Sequence, residues 1–263
     1  MSFCTASWSL RNAKSKIAGS GQGLGLMRQF ILLTGSGISA DSGLDTFRSS
    51  GGQSLWACCD PDVVCNFDVW EDNFELVHEF YSKRRIELGA VEPNAAHKMA
   101  ADWQKKYGAD LITQNVDDLF ERAGARDVLH VHGRLTGLRC LGCESQWDWG
   151  YRAFEPARDR CPQCGGLHEV KPDVVFFNER APLYQKLWER LDSLSHDDLL
   201  VIIGTSGNVL PIAGIARHSR AVTVLSNLEP EPTIPEHYFD HVLHGRAAEI
   251  APRLDALVAK ILD

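Results

Sequence analysis

The sequence predicts an α/β fold, a Rossmann-like doubly wound parallel sheet that carries two inserts, one small and cysteine-rich and the other helical. Short apolar runs without polar alternation recur along the chain, and each is typical of a parallel strand covered on both faces. Helical patterns separate these runs, and the runs end in polar or glycine-bearing motifs. Paired cysteines interrupt the series and predict the small insert.

Composition bounds the class of protein. The 263 residues can bury a good core, and 44% hydrophobic and 24% charged residues are ordinary for a globular protein. A net charge of −8 argues against nonspecific binding to nucleic acid or acidic membranes, and no run approaches the ~18 apolar residues of a membrane span. We therefore expect no nucleic-acid or membrane partner, and the charge mildly favours a basic substrate such as a lysine-bearing protein segment.

Residues 1–26 are predicted to be an N-terminal extension outside the folded domain. Residues 1–29 contain no Asp or Glu but carry Arg11, Lys14, Lys16 and Arg28, a pattern compatible with a transit peptide. A disordered extension, or an upstream start codon with Met27 as the true start, is the favoured interpretation. We expect a cytoplasmic protein, or a mitochondrial one if the extension is a transit peptide.

The first predicted strand, residues 30–33, runs into a glycine-rich turn. Gly35, Gly37 and Ala40 form a G-x-G-x-x-A pattern, which permits a tight turn and lets backbone N–H groups approach a pyrophosphate. We expect a helix to follow, with its N-terminus directed at the phosphates. Alone the pattern is weak, because glycine-rich turns often simply end strands.

The segment after this turn departs from an ordinary dinucleotide site. No acidic residue stands about 20 residues downstream, where residues 56–59 are Trp-Ala-Cys-Cys, and residues 42–48 are polar and contain glycine. Residues 34–48 resemble the first sequence signature of the sirtuins, the NAD-dependent protein deacylases. The resemblance implies that the following residues contact NAD: Gly35, Ser36, Gly37, Ala40, Phe47 and Arg48.

Further elements follow from periodicity. Residues 62–89 are predicted to be helical because large apolar residues recur there at helical spacing. Pro93 and Asn94 predict the start of another helix, and residues 247–262 predict a final amphipathic one. The remaining buried strands are predicted at residues 110–113, 128–131, 174–177, 199–203 and 221–225.

Four of the eight cysteines form two Cys-x-x-Cys pairs with seventeen residues between them: Cys140, Cys143, Cys161 and Cys164. Four thiolates without histidine or carboxylate give a closed tetrahedral zinc site, so the metal stabilises the insert and does not catalyse. Four free core thiols are the alternative, and the spacing argues against them. Paired ligand cysteines also favour a reducing compartment.

Polar residues follow the second and third predicted strands. Residues 113–124 resemble the second sirtuin signature, which implies that Asn115 and Asp117, with Gln114 beside them, hold the nicotinamide ribose and amide. A polar helix cap is the generic alternative. His132 resembles the catalytic histidine of the family, although a lone histidine at a strand end is more often simply packed or solvated; a neutral imidazole can take a proton from a ribose hydroxyl.

The last two strands also end in polar triplets, which would be ordinary loops if taken singly. By resemblance they supply the adenosine-side contacts, together with a residue beside the adenine: Gly204, Thr205, Ser206, Asn227, Leu228, Glu229 and Ala247.

Two segments resemble substrate-binding parts of the family. Residues 171–179 are similar to the segment that pairs with an acylated-lysine protein substrate as an added strand, which implicates Val174, Val175 and Phe176. Tyr81 and Arg84 resemble the Tyr-x-x-Arg pair of sirtuins that prefer acidic acyl groups. The alternatives are an ordinary edge strand and a solvated basic helix end.

The resemblance implies a domain at residues 27–263. Its large Rossmann-like part spans about 27–55, 90–134 and 172–263, the helical part about 56–89, and the zinc module about 135–171. The implied enzyme is a monomer that uses NAD to remove acetyl or acidic acyl groups (succinyl, malonyl) from lysine, yielding nicotinamide and O-acyl-ADP-ribose. The alternatives are an ADP-ribosyltransferase or NAD glycohydrolase with the same cleft, or a non-enzymatic NAD or ADP-ribose sensor.

Overall fold

A computed structural model describes residues 28–45 and 60–263 of the chain. The described residues contain nine strands: β1 (Phe30–Thr34), β2 (Asp110–Thr113), β3 (Leu129–His130), β4 (Gly133–Cys140), β5 (Gln146–Asp148), β6 (Val170–Val174), β7 (Leu199–Ile203), β8 (Val222–Asn227) and β9 (His241–His244). They also contain seven α-helices: α1 (Pro61–Val64), α2 (Phe74–Gly89), α3 (Ala95–Tyr107), α4 (Leu119–Arg122), α5 (Tyr184–Asp192), α6 (Ile212–His218) and α7 (Ala247–Leu262).

Six strands form one parallel sheet in the order β3-β2-β1-β7-β8-β9. β1 and β7 lie in the middle, and every residue of both strands is buried, as their unbroken apolar runs predict. One face is covered by a core that includes Trp103 of α3 and Leu254 of α7, and the other by a core that includes Leu187 of α5 and Ile212 of α6. The doubly wound α/β prediction is therefore confirmed.

Helix α3 begins where the sequence predicts it. The side chain of Asn94 accepts a hydrogen bond from the backbone N–H of Ala96, and the N–H of Asn94 itself donates to His97. Gly108 ends the helix with a left-handed φ of 69°. The final helix, α7, also has the predicted bounds.

A second, three-stranded antiparallel sheet, β5-β4-β6, joins the two inserts. It packs with α2 around a third core that contains Phe74, Phe154 and Val170. The cysteine-rich insert therefore rests on the helical part through a shared apolar core.

Two expectations about local structure are wrong. Residues 36–42 form two short 3-10 turns in place of the expected helix, because Gly35 and Gly37 pack tightly against the end of β7. The strand expected at 174–177 lies earlier, as β6, because Phe177 forms its backbone pairs with Cys65 and Phe67. β9 was not predicted, since only four residues form it and none is buried.

Among the described residues, no helix is both long enough and apolar enough to cross a membrane.

Gly133 offers a stability test, because it has a left-handed φ of 83° and a Cβ atom there would collide with the carbonyl oxygen of Asp173. Gly108 is the matched control: its φ of 69° is similar, but a Cβ atom would meet nothing within 4 Å. In urea unfolding, we expect Gly108→Ala to cost roughly 1 kcal/mol for backbone strain alone, and Gly133→Ala about 3 kcal/mol or more. Equal losses would contradict this packing of β4 against β6.

Candidate active site

The carboxyl ends of β1 and β7 meet at the glycine turn that follows β1. The N–H of Gly35 donates to the carbonyl of Ile203 at 2.9 Å, and the N–H of Gly37 donates to that of Gly204 at 2.8 Å. A Cβ atom on Gly35 or on Gly37 would lie 2.7 Å from the backbone of Gly204. Both glycines are therefore needed for the close approach of two strand ends, in addition to any role toward a phosphate.

The hydroxyl of Ser39 joins the polar residues that follow β2. It donates to Oδ2 of Asp117 at 2.9 Å and accepts from the side-chain amide of Asn115 at 2.9 Å. Nε2 of His97 lies 3.3 Å from the same hydroxyl and carries the ring proton, since Nδ1 accepts from the backbone of Asn94. Ser39, Asn115, Asp117 and His97 are all buried, so this hydroxyl fixes three side chains at once.

Burial sets the protonation of this group. It raises the pKa of Asp117, although the hydrogen bonds from Ser39 and from the backbone N–H of Leu119 oppose the rise. Burial also lowers the pKa of His97 to about 4, so this imidazole is neutral at neutral pH. The one carboxyl group of the cluster is thus fixed by donors from two different elements.

His132 follows β3 and is oriented by two hydrogen bonds. Its Nδ1 lies 2.9 Å from the carbonyl oxygen of Gln114, and its Nε2 lies 2.8 Å from the hydroxyl of Tyr184. Burial lowers the pKa of His132, with the bond to Gln114 partly opposing it. A neutral ring with its lone pair on Nε2 follows, because the Gln114 carbonyl can only accept.

A second histidine, His130, supports the same loop. Its Nδ1 donates to the carbonyl oxygen of Asn115 at 2.9 Å, and its Nε2 lies 2.9 Å from Oε1 of Glu121. Burial alone would raise the pKa of Glu121, but the hydrogen bond and charge of His130 outweigh it, so this pKa is lowered. His130 and His132 therefore hold consecutive carbonyl groups of the loop after β2.

Side chains also connect the ends of β2, β7 and β8. Nε2 of Gln114 donates to Oγ1 of Thr205 at 3.2 Å. The N–H of Thr205 donates to Oδ1 of Asn227 at 3.0 Å, and Nδ2 of Asn227 donates back to the Thr205 carbonyl at 2.9 Å. Three residues predicted to contact the cofactor are thus linked through Thr205 at one edge of the sheet.

The other predicted cofactor residues differ in burial. Ala247 is buried at the start of α7, whose next residue, Ala248, donates its N–H to Asp41 at 2.9 Å. Leu228 and Glu229 are exposed just after β8. The predictions for Phe47 and Arg48 fall on residues 46–59, which lie outside the described residues, as does the predicted extension 1–26.

The donor set at this edge fits a dinucleotide. The backbone N–H groups of Ser36 and Ser206 donate to no other described residue, and backbone N–H groups suit phosphate oxygens. Buried amide and carboxyl groups of Asn115 and Asp117 suit ribose and carboxamide groups.

The four paired cysteines come together as the sequence predicts. Their Sγ atoms all lie within 4.8 Å of one another. The two Sγ atoms are 3.6 Å apart in the Cys140–Cys164 pair and also in the Cys143–Cys161 pair. A tetrahedral site with Zn–S bonds of about 2.3 Å requires sulfur–sulfur distances of about 3.8 Å. The arrangement therefore fits a structural zinc ion. Cys140 ends β4, whereas His132 directly precedes the first residue of that strand.

Tyr81 and Arg84 both lie on α2, but they have separate partners. Tyr81 is buried and stacks on Phe176, with ring centroids 5.5 Å apart. The Arg84 side chain is only 13% exposed; its guanidinium lies 3.0 Å from Glu87 and 3.7 Å from Asp45. Arg84 is therefore not part of a solvated helix end. Its guanidinium is already paired with two carboxylates of the protein itself.

Residues 174–178 lie between His132 and α2. The N–H of Val175 donates to the His132 carbonyl at 2.9 Å, and that of Phe176 donates to Glu179 at 2.8 Å. Asn178 has a left-handed φ of 64°, and its side-chain amide donates to Asp68 at 2.7 Å. The predicted substrate segment is thus anchored to the loop that carries His132.

Four residues of the site carry no prediction from the sequence: Ser39, His130, Glu121 and Tyr184. Ser39 stands inside the glycine turn, and His130 ends β3 two residues before His132, so both had a local signal. Tyr184 had none, since it lies 52 residues from the histidine that it contacts.

Comparison with known proteins gives consistent findings. The model of the Sir2 family matches residues 35–211. A protein of Helicobacter hepaticus named NAD-dependent protein deacylase is 45% identical over 240 residues, which cover 83% of this chain and 92% of that protein. A Sir2 homologue in complex with NAD aligns with a TM-score of 0.77 at 32% identity, covering 90% of this chain and 91% of its own. A mutant Sir2 homologue in complex with 2′-O-acetyl ADP-ribose aligns with a TM-score of 0.76 at 31% identity, covering 89% and 93%.

The cysteine cluster predicts a metal-dependent insert. We expect purified protein to hold stoichiometric zinc, and Cys161→Ser to lose it, because binding energy at such a site is folding energy. Chelation should also change the fluorescence of Trp147 in β5. Metal analysis of the purified proteins measures the zinc content. Cys65→Ser is the control, because Cys65 is buried and not part of the cluster, and this variant should keep its zinc. Stoichiometric zinc in the Cys161→Ser protein would contradict the ligand set.

Proposed function

This chain belongs to the Sir2 family and is an NAD-dependent protein deacylase, and we propose that it performs this reaction with residues at the carboxyl ends of β1, β2, β3, β7 and β8. The observation that carries the proposal is the contact network at this edge. Ser39 joins the glycine turn to Asn115 and Asp117, and Gln114 connects this loop to both His132 and Thr205. Residues with separate predicted roles thus share one network.

NAD, when bound, supplies a nicotinamide leaving group and the ADP-ribose that accepts the acyl group. The glycine turn at residues 35–37 and Ala40 would hold the phosphates, because its backbone approaches without side chains. Thr205, Ser206 and residues 227–229 would hold the adenosine side, with Ala247 beside the adenine. Asn115 and Asp117 would orient the nicotinamide ribose, since their side chains are already fixed by Ser39.

His132 would act as general base. Its Nδ1 carries the ring proton and donates it in a hydrogen bond to the Gln114 carbonyl oxygen. Nε2 is therefore the atom that can accept a proton from a ribose hydroxyl. Burial lowers the pKa of this imidazole, which keeps it neutral and competent at neutral pH. The acyl group would then leave on ADP-ribose, as O-acyl-ADP-ribose.

The protein substrate would approach residues 174–176 in an extended form. Phe176 stacks on Tyr81, and the centroid of its ring lies 3.8 Å from Nζ of the buried Lys171. These contacts hold the segment in place. The N–H groups of Val175, Phe176 and Phe177 already donate within the protein, so an added peptide strand would rely on carbonyl groups here. We further propose that the enzyme acts as a monomer in the cytoplasm, where four paired thiolates stay reduced.

ADP-ribosyl transfer to protein, or hydrolysis of NAD, would need the same cleft. A base fixed at both ring nitrogens favours deacylation, because proton removal from a ribose hydroxyl belongs to acyl transfer. A mere sensor of NAD has no use for such a base.

Replacing His132 tests the proposal. His132→Ala should lower kcat for an acetyl-lysine peptide by at least about 10²-fold, as loss of a general base does, while the calorimetric Kd for NAD stays within about twofold. His218→Ala, at the far end of α6, is the matched control and should keep full activity. An active His132→Ala enzyme would refute His132 as the base.

Arg84 tests the acyl preference. We propose that Tyr81 and Arg84 recognise succinyl or malonyl carboxylates, because a charged hydrogen bond is worth about 1.5–3 kcal/mol. Arg84→Met should then lower kcat/KM for these substrates by roughly 10–100-fold and leave acetyl removal within about twofold. Lys83→Met, one residue away on the exposed face, is the control. An equal loss for acetyl-lysine would make Arg84 a structural residue that serves its ion pairs.

A further inference from the structure

Tyr184 contacts the proposed base, and general-base catalysis by His132 alone does not require it. Its hydroxyl lies 2.8 Å from Nε2 of His132, the nitrogen that must accept a proton. The two rings are tilted by 44° with centroids 5.8 Å apart, so the phenol meets the imidazole through its hydroxyl and not by stacking.

The direction of this hydrogen bond follows from the other ring nitrogen. Nδ1 donates to the Gln114 carbonyl, so a neutral His132 offers only a lone pair at Nε2. Burial raises the pKa of Tyr184 to about 12, so the phenol keeps its proton and donates it. The single proton of the phenol is thus donated to His132, while the lone pairs of its oxygen can accept a hydrogen bond from another group.

Packing holds the phenol in this place. Tyr184 is the first residue of α5 and lies against the core on that face of the sheet, next to Leu183 and Trp188. The segment that leads to it begins at Asn178, directly after the proposed substrate segment. The contact with His132 therefore belongs to a fixed wall of the site, not to a free side chain.

We propose that Tyr184 belongs to the proton-accepting unit: its hydroxyl orients the imidazole of His132 and carries the ribose proton to Nε2. The proton of the ribose hydroxyl passes to the phenol oxygen as the phenol proton passes to Nε2. One O–H bond breaks and one forms at Tyr184, which ends neutral, and His132 ends as imidazolium. The electron pair left on the ribose oxygen would form the bond to the acyl carbon, while the bond between that carbon and the lysine nitrogen breaks. The nitrogen would keep the electron pair of that bond, take the proton from the His132 imidazolium and leave as the lysine amine. This inference rests on the proposed role of His132.

Tyr184→Phe tests it, because the ring and its packing remain while the hydroxyl is lost. We expect kcat to fall at least about tenfold, since proton transfer by a positioned group contributes 10²–10⁴-fold, with KM for NAD and peptide within about twofold. Tyr238→Phe is the matched control, a tyrosine packed against the same core that is in ring contact with His237 instead. It should leave kcat unchanged.

Nitrogen NMR of the protein alone gives a readout that does not depend on turnover. At pH 8 the Nε2 resonance of His132, assigned by its loss in His132→Ala, should be that of a hydrogen-bonded lone-pair nitrogen. It should move to the unbonded value in Tyr184→Phe and stay in Tyr238→Phe. If Tyr184→Phe failed to fold, the spectrum of the unchanged protein would decide.

Three results would overturn the inference: an unbonded Nε2 in the unchanged protein, a kcat for Tyr184→Phe that is unchanged or raised, or a change in KM alone. An inactive His132→Ala with a fully active Tyr184→Phe would reject the role of Tyr184 and leave the deacylase mechanism intact. An active His132→Ala would reject both.

Discussion

The site depends on one buried hydroxyl. The side chain of Ser39 extends from the glycine turn after β1 and lies between Asn115, Asp117 and His97. Its hydroxyl makes one hydrogen bond to each of them. A buried polar cluster is stable only when its members are satisfied, so the turn and the loop after β2 must keep their relative position. The tight packing of Gly35 and Gly37 on Gly204 is what brings this hydroxyl there.

Much of the fold follows from local sequence. β1 and β7 are buried along their whole length, which leaves a run of apolar residues with no alternation, and Asn94 caps α3 with its own side chain. The four cysteines meet because their spacing suits one metal ion. Parallel strands have their carboxyl ends at the same edge of a sheet, so the sequence also correctly places Asn115, Thr205 and Asn227 at one edge.

The rest depends on contacts that no local pattern encodes. A helix after Gly37 was the reasonable expectation, yet packing against β7 leaves room only for 3-10 turns. Pairing of Phe177 with Cys65 moves the strand away from residues 175–177. The partners of Arg84 and the contact of Tyr184 with His132 join residues from distant segments, so only the folded chain reveals that two carboxylates and a phenol face these groups.

We propose that these strand ends assemble into a site where an acyl group passes from lysine to ADP-ribose. Mass spectrometry of the reaction products is the decisive measurement, with NAD and a set of peptides that differ only in acetyl-, malonyl- or succinyl-lysine. We expect free nicotinamide, unmodified lysine peptide and an ADP-ribose that carries the acyl mass, in equal amounts. ADP-ribose attached to protein, or free ADP-ribose with the acyl-lysine intact, would contradict it.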